Sequence, residues 1–224
     1  MMEYHRTATV FGATGLVGEQ IIYELIQHPE FSRIKAITRK PLAMEHNKLL
    51  ESVVDFDNWD GVEQAIEGEV VFCALGTTMK KAGSKEKFRY IDFELPLKIA
   101  LAAHKKGVEK FFVVSSIGAD SKSNNFYLRT KGELEEALKD IPFKSLAVFR
   151  PSLLLGKRKE FRFGEKIGIM LYKLLKFLFV GPMKKYKGVH ASSVAKAMVR
   201  LADYRLEYRI VESSEIRDIS KRKC

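Results

Sequence analysis

Short, mostly apolar runs alternate with stretches of helical periodicity through most of the chain. The runs predict strands at Thr7–Phe11, Ile34–Thr38, Glu51–Asp55, Val70–Leu75, Lys110–Ser115, Lys144–Phe149 and Tyr208–Glu212. Continuous rather than alternating hydrophobicity is the pattern of strands covered on both faces. Helical spacing predicts helices at Leu16–Gln27, Trp59–Glu67, Lys85–Lys106, Tyr127–Lys139, Glu165–Phe179 and Ala191–Ala202. Breaks fall at His28-Pro29, Lys40-Pro41, Gly61, Gly107, Ile141-Pro142, Arg150-Pro151 and Gly181-Pro182. Strand and helix alternate as far as residue 150, which predicts an α/β fold. The expected architecture is a doubly wound, mainly parallel sheet with helices on both faces and right-handed crossovers. Beyond Pro151 the regularity fades. Residues 151–224 supply a last strand and helix and a small substrate or lid region at about 152–190, within a single domain spanning 1–224.

The first strand-to-helix turn reads Gly12-Ala13-Thr14-Gly15-Leu16-Val17-Gly18. Gly12 suits the sharp turn, Gly15 keeps a Cβ away from a ligand, and Gly18 lets the helix pack closely on the strand. The free N–H groups and positive end of the helix dipole then face a pyrophosphate. This turn is a candidate dinucleotide site. The second strand ends in Arg39-Lys40, where an acidic residue would select the ribose 2′-hydroxyl of NAD(H). A guanidinium offers forked donors matched to phosphate oxygens, so NADP(H) is expected over NAD(H). Asp55-Phe56 closes the third strand beside the expected adenine. Leu75-Gly76-Thr77 closes the fourth, where ribose and phosphates would pass.

The catalytic candidates are Ser116, Tyr127 and Lys131. Tyr127 and Lys131 are four residues apart, hence on one helical face. A nearby cation favours phenolate, which suits a tyrosine for exchanging a proton with a carbonyl or hydroxyl. They follow the hydroxyl-bearing strand end Ser115-Ser116, of which Ser116 is the candidate to hold the reacting oxygen and one serine is expected to serve only as a cap.

Those motifs, in that order and closed by Arg150-Pro151, resemble the short-chain dehydrogenase/reductase superfamily. Leu75-Gly76-Thr77-Thr78, Lys81-Ala82-Gly83-Ser84 and Ser115-Ser116-Ile117-Gly118-Ala119 are similar to its atypical branch, and the likeness runs over about residues 6 to 203. The resemblance implies a Rossmann fold with NADP(H), and Ser115, Arg150 and Pro151 are expected to line the cofactor with the glycine turn. It also implies Tyr127 as general acid/base, Lys131 on the nicotinamide ribose and Ser116 orienting a small carbonyl or alcohol substrate. The branch includes regulators, so a cofactor-binding protein acting through a partner is the competing expectation.

Charge adds one feature. The net charge is +11, and residues 157–187 carry ten Lys/Arg against Glu160 and Glu165, a local excess of +8. Ile167, Met170, Leu171, Leu174, Leu175 and Leu178 form an apolar stripe within it, predicting an amphipathic helix at 165–179. It is expected to cap the substrate crevice, with a protein partner, a homodimer face or peripheral contact with anionic membrane as further uses. Nucleic-acid binding is not expected, because no recognition helix or aromatic platform accompanies the charge. With only Cys73 and Cys224, no disulfide framework or metal-ligand spacing exists. The N-terminus shows no secretory apolar core, and the expectation is a reducing, cytoplasmic location.

Overall fold

The computed structural model describes residues 5–156 and 187–222. Its frame is a sheet of seven parallel strands: β1 (Arg6–Phe11), β2 (Phe31–Thr38), β3 (Leu49–Val53), β4 (Val70–Cys73), β5 (Lys110–Val114), β6 (Ser145–Arg150) and β9 (Glu207–Glu212). The order across the sheet is β3-β2-β1-β4-β5-β6-β9. The chain winds outward one way from β1, then crosses back to β4 and winds the other way. Successive strand residues feed two separate cores, as the continuous apolar runs require. In β5, Phe112 and Val114 join one core while Phe111 and Val113 join the other.

Helix α1 (Leu16–Gln27) packs on the first core, together with α7 (Ala191–Leu201) and α8 (Ser213–Lys221). On the second core lie α2 (Trp59–Ala65), α5 (Leu95–Lys105) and α6 (Phe126–Lys139). The doubly wound expectation is met on both faces. Two short strands, β7 (Leu154–Leu155) and β8 (Val189–His190), pair in parallel beside the main sheet.

The departures are local. The expected helix Lys85–Lys106 is three pieces: α4 (Lys85–Arg89), a π turn at Tyr90–Glu94, and α5, with a single turn α3 (Met79–Ala82) before them. Strand β3 begins two residues before the expected Glu51 and ends at Val53, and β2 begins at Phe31 rather than Ile34. Gly61 lies inside α2 and breaks nothing. The basic tail holds α8, whose buried Ile216 and Ile219 the charges obscured. The amphipathic helix expected at 165–179 lies outside the described residues, as does nearly all of the basic segment.

Parallel winding brings the C-terminal ends of β1 and β4 together at the reversal of strand order, where such sheets hold ligands. The amide of Ala74 donates to the Phe11 carbonyl at 3.0 Å and ties the two ends together.

Candidate active site

The glycine turn is built as tightly as its sequence implies. Gly12 has φ +79°, and a Cβ there would come 2.6 Å from the Ala74 carbonyl oxygen. A Cβ on Gly18 would stand 2.1 Å from the Gly12 oxygen, and one on Gly15 3.1 Å from the same atom. Gly15 is the N-cap of α1 and supplies no side-chain acceptor. The first-turn amides are therefore left for a ligand, and a cradle that a Cβ would fill at Gly15 fits a pyrophosphate. Ala13 and Val17 are buried. Leu16 packs against Gly156, where a Cβ would come 2.7 Å from Leu16 Cδ1.

At the end of β2, Arg39 and Lys40 are exposed and have no carboxylate partner among the described residues. Glu51 is held by the Thr38 hydroxyl and the Leu42 amide, at 3.1 and 2.6 Å. The Asp55 carboxylate turns back to accept from the Asp57 amide at 3.0 Å. Phe56 sets its ring edge-on to Phe11, with centroids 6.3 Å apart.

Helix α6 is capped at its N-terminus by Asn125, whose side chain accepts from the Leu128 amide at 3.3 Å. It presents Tyr127, Lys131 and Glu135 at four-residue intervals. The Tyr127 ring leans on fully buried Phe88, with centroids 5.5 Å apart. Lys131 Nζ lies 2.8 Å from Asp92 Oδ1, with side-chain exposures of 4% and 1%. That carboxylate oxygen faces the ammonium as a close ion pair. Its partner oxygen accepts from the Thr77 amide at 2.8 Å. Burial pulls the Lys131 ammonium toward losing its proton, but Asp92, with Tyr127 and Cys73, more than reverses this and holds it above the ordinary lysine value. Burial pushes the neighbouring Cys73 thiol up to about 11.

The strand-end residues divide. Ser116 is half-buried, and among the described residues its hydroxyl has only a weak 3.4 Å contact to the Ile117 carbonyl. The Ile117 amide donates to the Pro151 carbonyl at 3.0 Å, which fixes the loop carrying Ser116. Ser115 and Arg150, expected near the cofactor, turn into the protein: the Ser115 hydroxyl and the Arg150 guanidinium both bond Glu135. Arg150 also reaches Glu212 at 3.2 Å. Glu135 at 3% exposure must find partners, and these two residues satisfy it. Glu135→Gln is expected to cost about 2 kcal/mol, because the neutral amide no longer answers the Arg150 charge and, among the described residues, only Glu212 is left to do so, visible as a lower urea midpoint.

Asp92, Glu135 and Gly132 were missed in the sequence. A Cβ on Gly132 would stand 2.1 Å from the Ser121 amide nitrogen, so only glycine lets that loop cross α6 beside Lys131. Helical spacing from Tyr127 was signal enough for Glu135. For Asp92 there was none, because it lies 39 residues before its partner.

Residues 12–152 match a family model described as NAD(P)H-binding. The rat protein HTATIP2 is 38% identical over 165 residues, covering 72% of this chain and 68% of its own. The chain belongs to the atypical short-chain dehydrogenases/reductases. A Saccharomyces cerevisiae family member, FMP52, is 33% identical over 219 residues, covering 94% of this chain and 95% of its own. Among solved structures, WbmH of Bordetella bronchiseptica with NAD+ superimposes at TM-score 0.72 and 15% identity, over 93% of this chain and 75% of its own. MoeE5 with UDP-glucose and NAD does so at 0.69 and 15%, over 96% and 80%. These two likenesses are of fold. FMP52 is named as mitochondrial in several yeasts, and this overturns the cytoplasmic expectation. The low cysteine count behind that expectation does not separate one reducing compartment from another.

Proposed function

We propose that the protein is an NADP(H)-dependent oxidoreductase that interconverts a small carbonyl compound and its alcohol. One observation carries the reading: Lys131, buried and 2.8 Å from the Asp92 carboxylate, stands one helical turn from Tyr127, in a chain whose glycine turn leaves the start of α1 without a side-chain cap. In this reading the α1 amides hold the pyrophosphate and Arg39 the 2′-phosphate. The bound nicotinamide supplies or accepts the hydride. Ser116 donates a hydrogen bond to the substrate oxygen. Tyr127 gives that oxygen its proton in reduction and takes it back in oxidation. Lys131 places a positive charge one turn away and reaches toward the ribose. A pure cofactor sensor would need neither Tyr127 nor its charged neighbour. The names of the yeast relatives support placing this activity in mitochondria.

Oxidation of NADPH across a panel of small aldehydes and ketones tests the proposal, and no turnover with any of them would overturn it. Arg39→Asp is expected to weaken NADPH binding by about tenfold to a hundredfold, the worth of a charge-assisted hydrogen bond. NADH binding should barely change. Equal loss for both coenzymes in calorimetry would remove Arg39 from the 2′-phosphate.

A further inference from the structure

Lys131 is the most demanding group on α6. Its side chain is 4% exposed, between a helix and a sheet end lined with apolar residues. An ammonium so far from water tends to shed its proton. Asp92, 1% exposed, answers it at 2.8 Å. Asp92 comes from the π turn Tyr90–Glu94, the one place where α4 and α5 fail to join as a regular helix. Such widened turns recur at functional positions. Its Oδ2 accepts the Thr77 amide, so one carboxylate grips both the lysine and the loop that ends β4. Gly76 leaves the space: a Cβ there would stand 3.3 Å from Asp92 Oδ1 and 3.8 Å from Lys131 Nζ.

We propose that Asp92 is a positioning residue of the α6 site, its carboxylate pairing the Lys131 ammonium and fixing it against the Leu75–Thr77 loop. The inference rests on the oxidoreductase reading for its purpose but not for its measurement. A buried ion pair is a poor source of stability, since apolar residues of similar volume serve as well or better. A charge kept here at that disadvantage serves the neighbouring chemistry. The groups facing Lys131 are Asp92 from the π turn, Tyr127 from its own helix and Cys73 from the end of β4. Of these, Asp92 alone forms an ion pair with it among the described residues.

The test follows Lys131 in the cofactor-free protein by NMR of 13Cε-labelled lysine, with Lys131→Met assigning the signal. Wild-type Lys131 should stay charged to a pH above the ordinary lysine midpoint. In Asp92→Asn the midpoint should fall by about two pH units or more, as for a buried lysine without a counter-charge. Asp92→Glu should recover part of that shift. With carbonyl substrate, the alkaline limb of the kcat profile should move down in parallel in Asp92→Asn. An unchanged Lys131 midpoint in Asp92→Asn would reduce Asp92 to a packing role and overturn the proposal. Should that variant not fold, the wild-type titration decides, and a midpoint at or below the ordinary lysine value refutes the idea. Absence of turnover would sink the proposed function while leaving this measurement intact.

Discussion

Tyr127→Phe should lower carbonyl reduction by about two to four orders of magnitude, the usual worth of a placed general acid. NADPH should bind to this variant as to the wild type. The substitution removes one oxygen and leaves the ring, and the ring is what Phe88 holds at 5.5 Å. Folding should therefore be unaffected, and melting temperature is the control. The steady-state signature is a fall in kcat and in kcat/KM together, because the proton is needed only as the carbonyl oxygen gains charge. Undiminished turnover would remove Tyr127 from the chemistry and, with it, the reason for charging Lys131.

Gly18→Ala should damage both cofactor binding and stability. In an open helix the change is favourable by about 1 kcal/mol, because alanine is the better helix former. Here the new Cβ would lie 2.1 Å from the Gly12 oxygen and 2.9 Å from the Ala13 Cα, backbone atoms that cannot swing aside. Overpacking against a rigid neighbour costs about 3 kcal/mol, so the net loss is about 2 kcal/mol. Helix α1 must move off the turn, and its first amides move with it. NADPH affinity should drop at least about tenfold, since 1.4 kcal/mol of misplaced hydrogen bonding suffices for that. Gly61→Ala in α2 is the control. Nothing lies within 4 Å of the added methyl, so that variant should be slightly more stable than wild type. If Gly18→Ala behaved like Gly61→Ala in urea unfolding and in calorimetry, the close approach of α1 to the turn would be disproved.

What could be read from residues alone was local or periodic. Apolar runs without alternation meant strands buried on both faces, and the two cores on either side of β5 bear this out. Gly12, Gly15 and Gly18 announced a turn with no room for side chains, because spacing within seven residues is short-range geometry. The four-residue interval of Tyr127 and Lys131 worked for the same reason. Helix α8 was hidden because Arg217, Lys221 and Arg222 dominate a segment whose apolar face is only Ile216 and Ile219.

Pairings between distant segments were decided by the tertiary structure. Asp92 meets Lys131 only because the sheet order sets β4 beside β5 and brings the π turn against α6. Ser115 and Arg150 carry side chains as suited to a phosphate as to a carboxylate. Burial of Glu135 between them settled which they would serve. A sequence thus determines which groups the chain offers and how near neighbours are spaced. A buried charge takes as its partner whichever opposite charge the fold leaves within reach, and that is a property of the packed sheet.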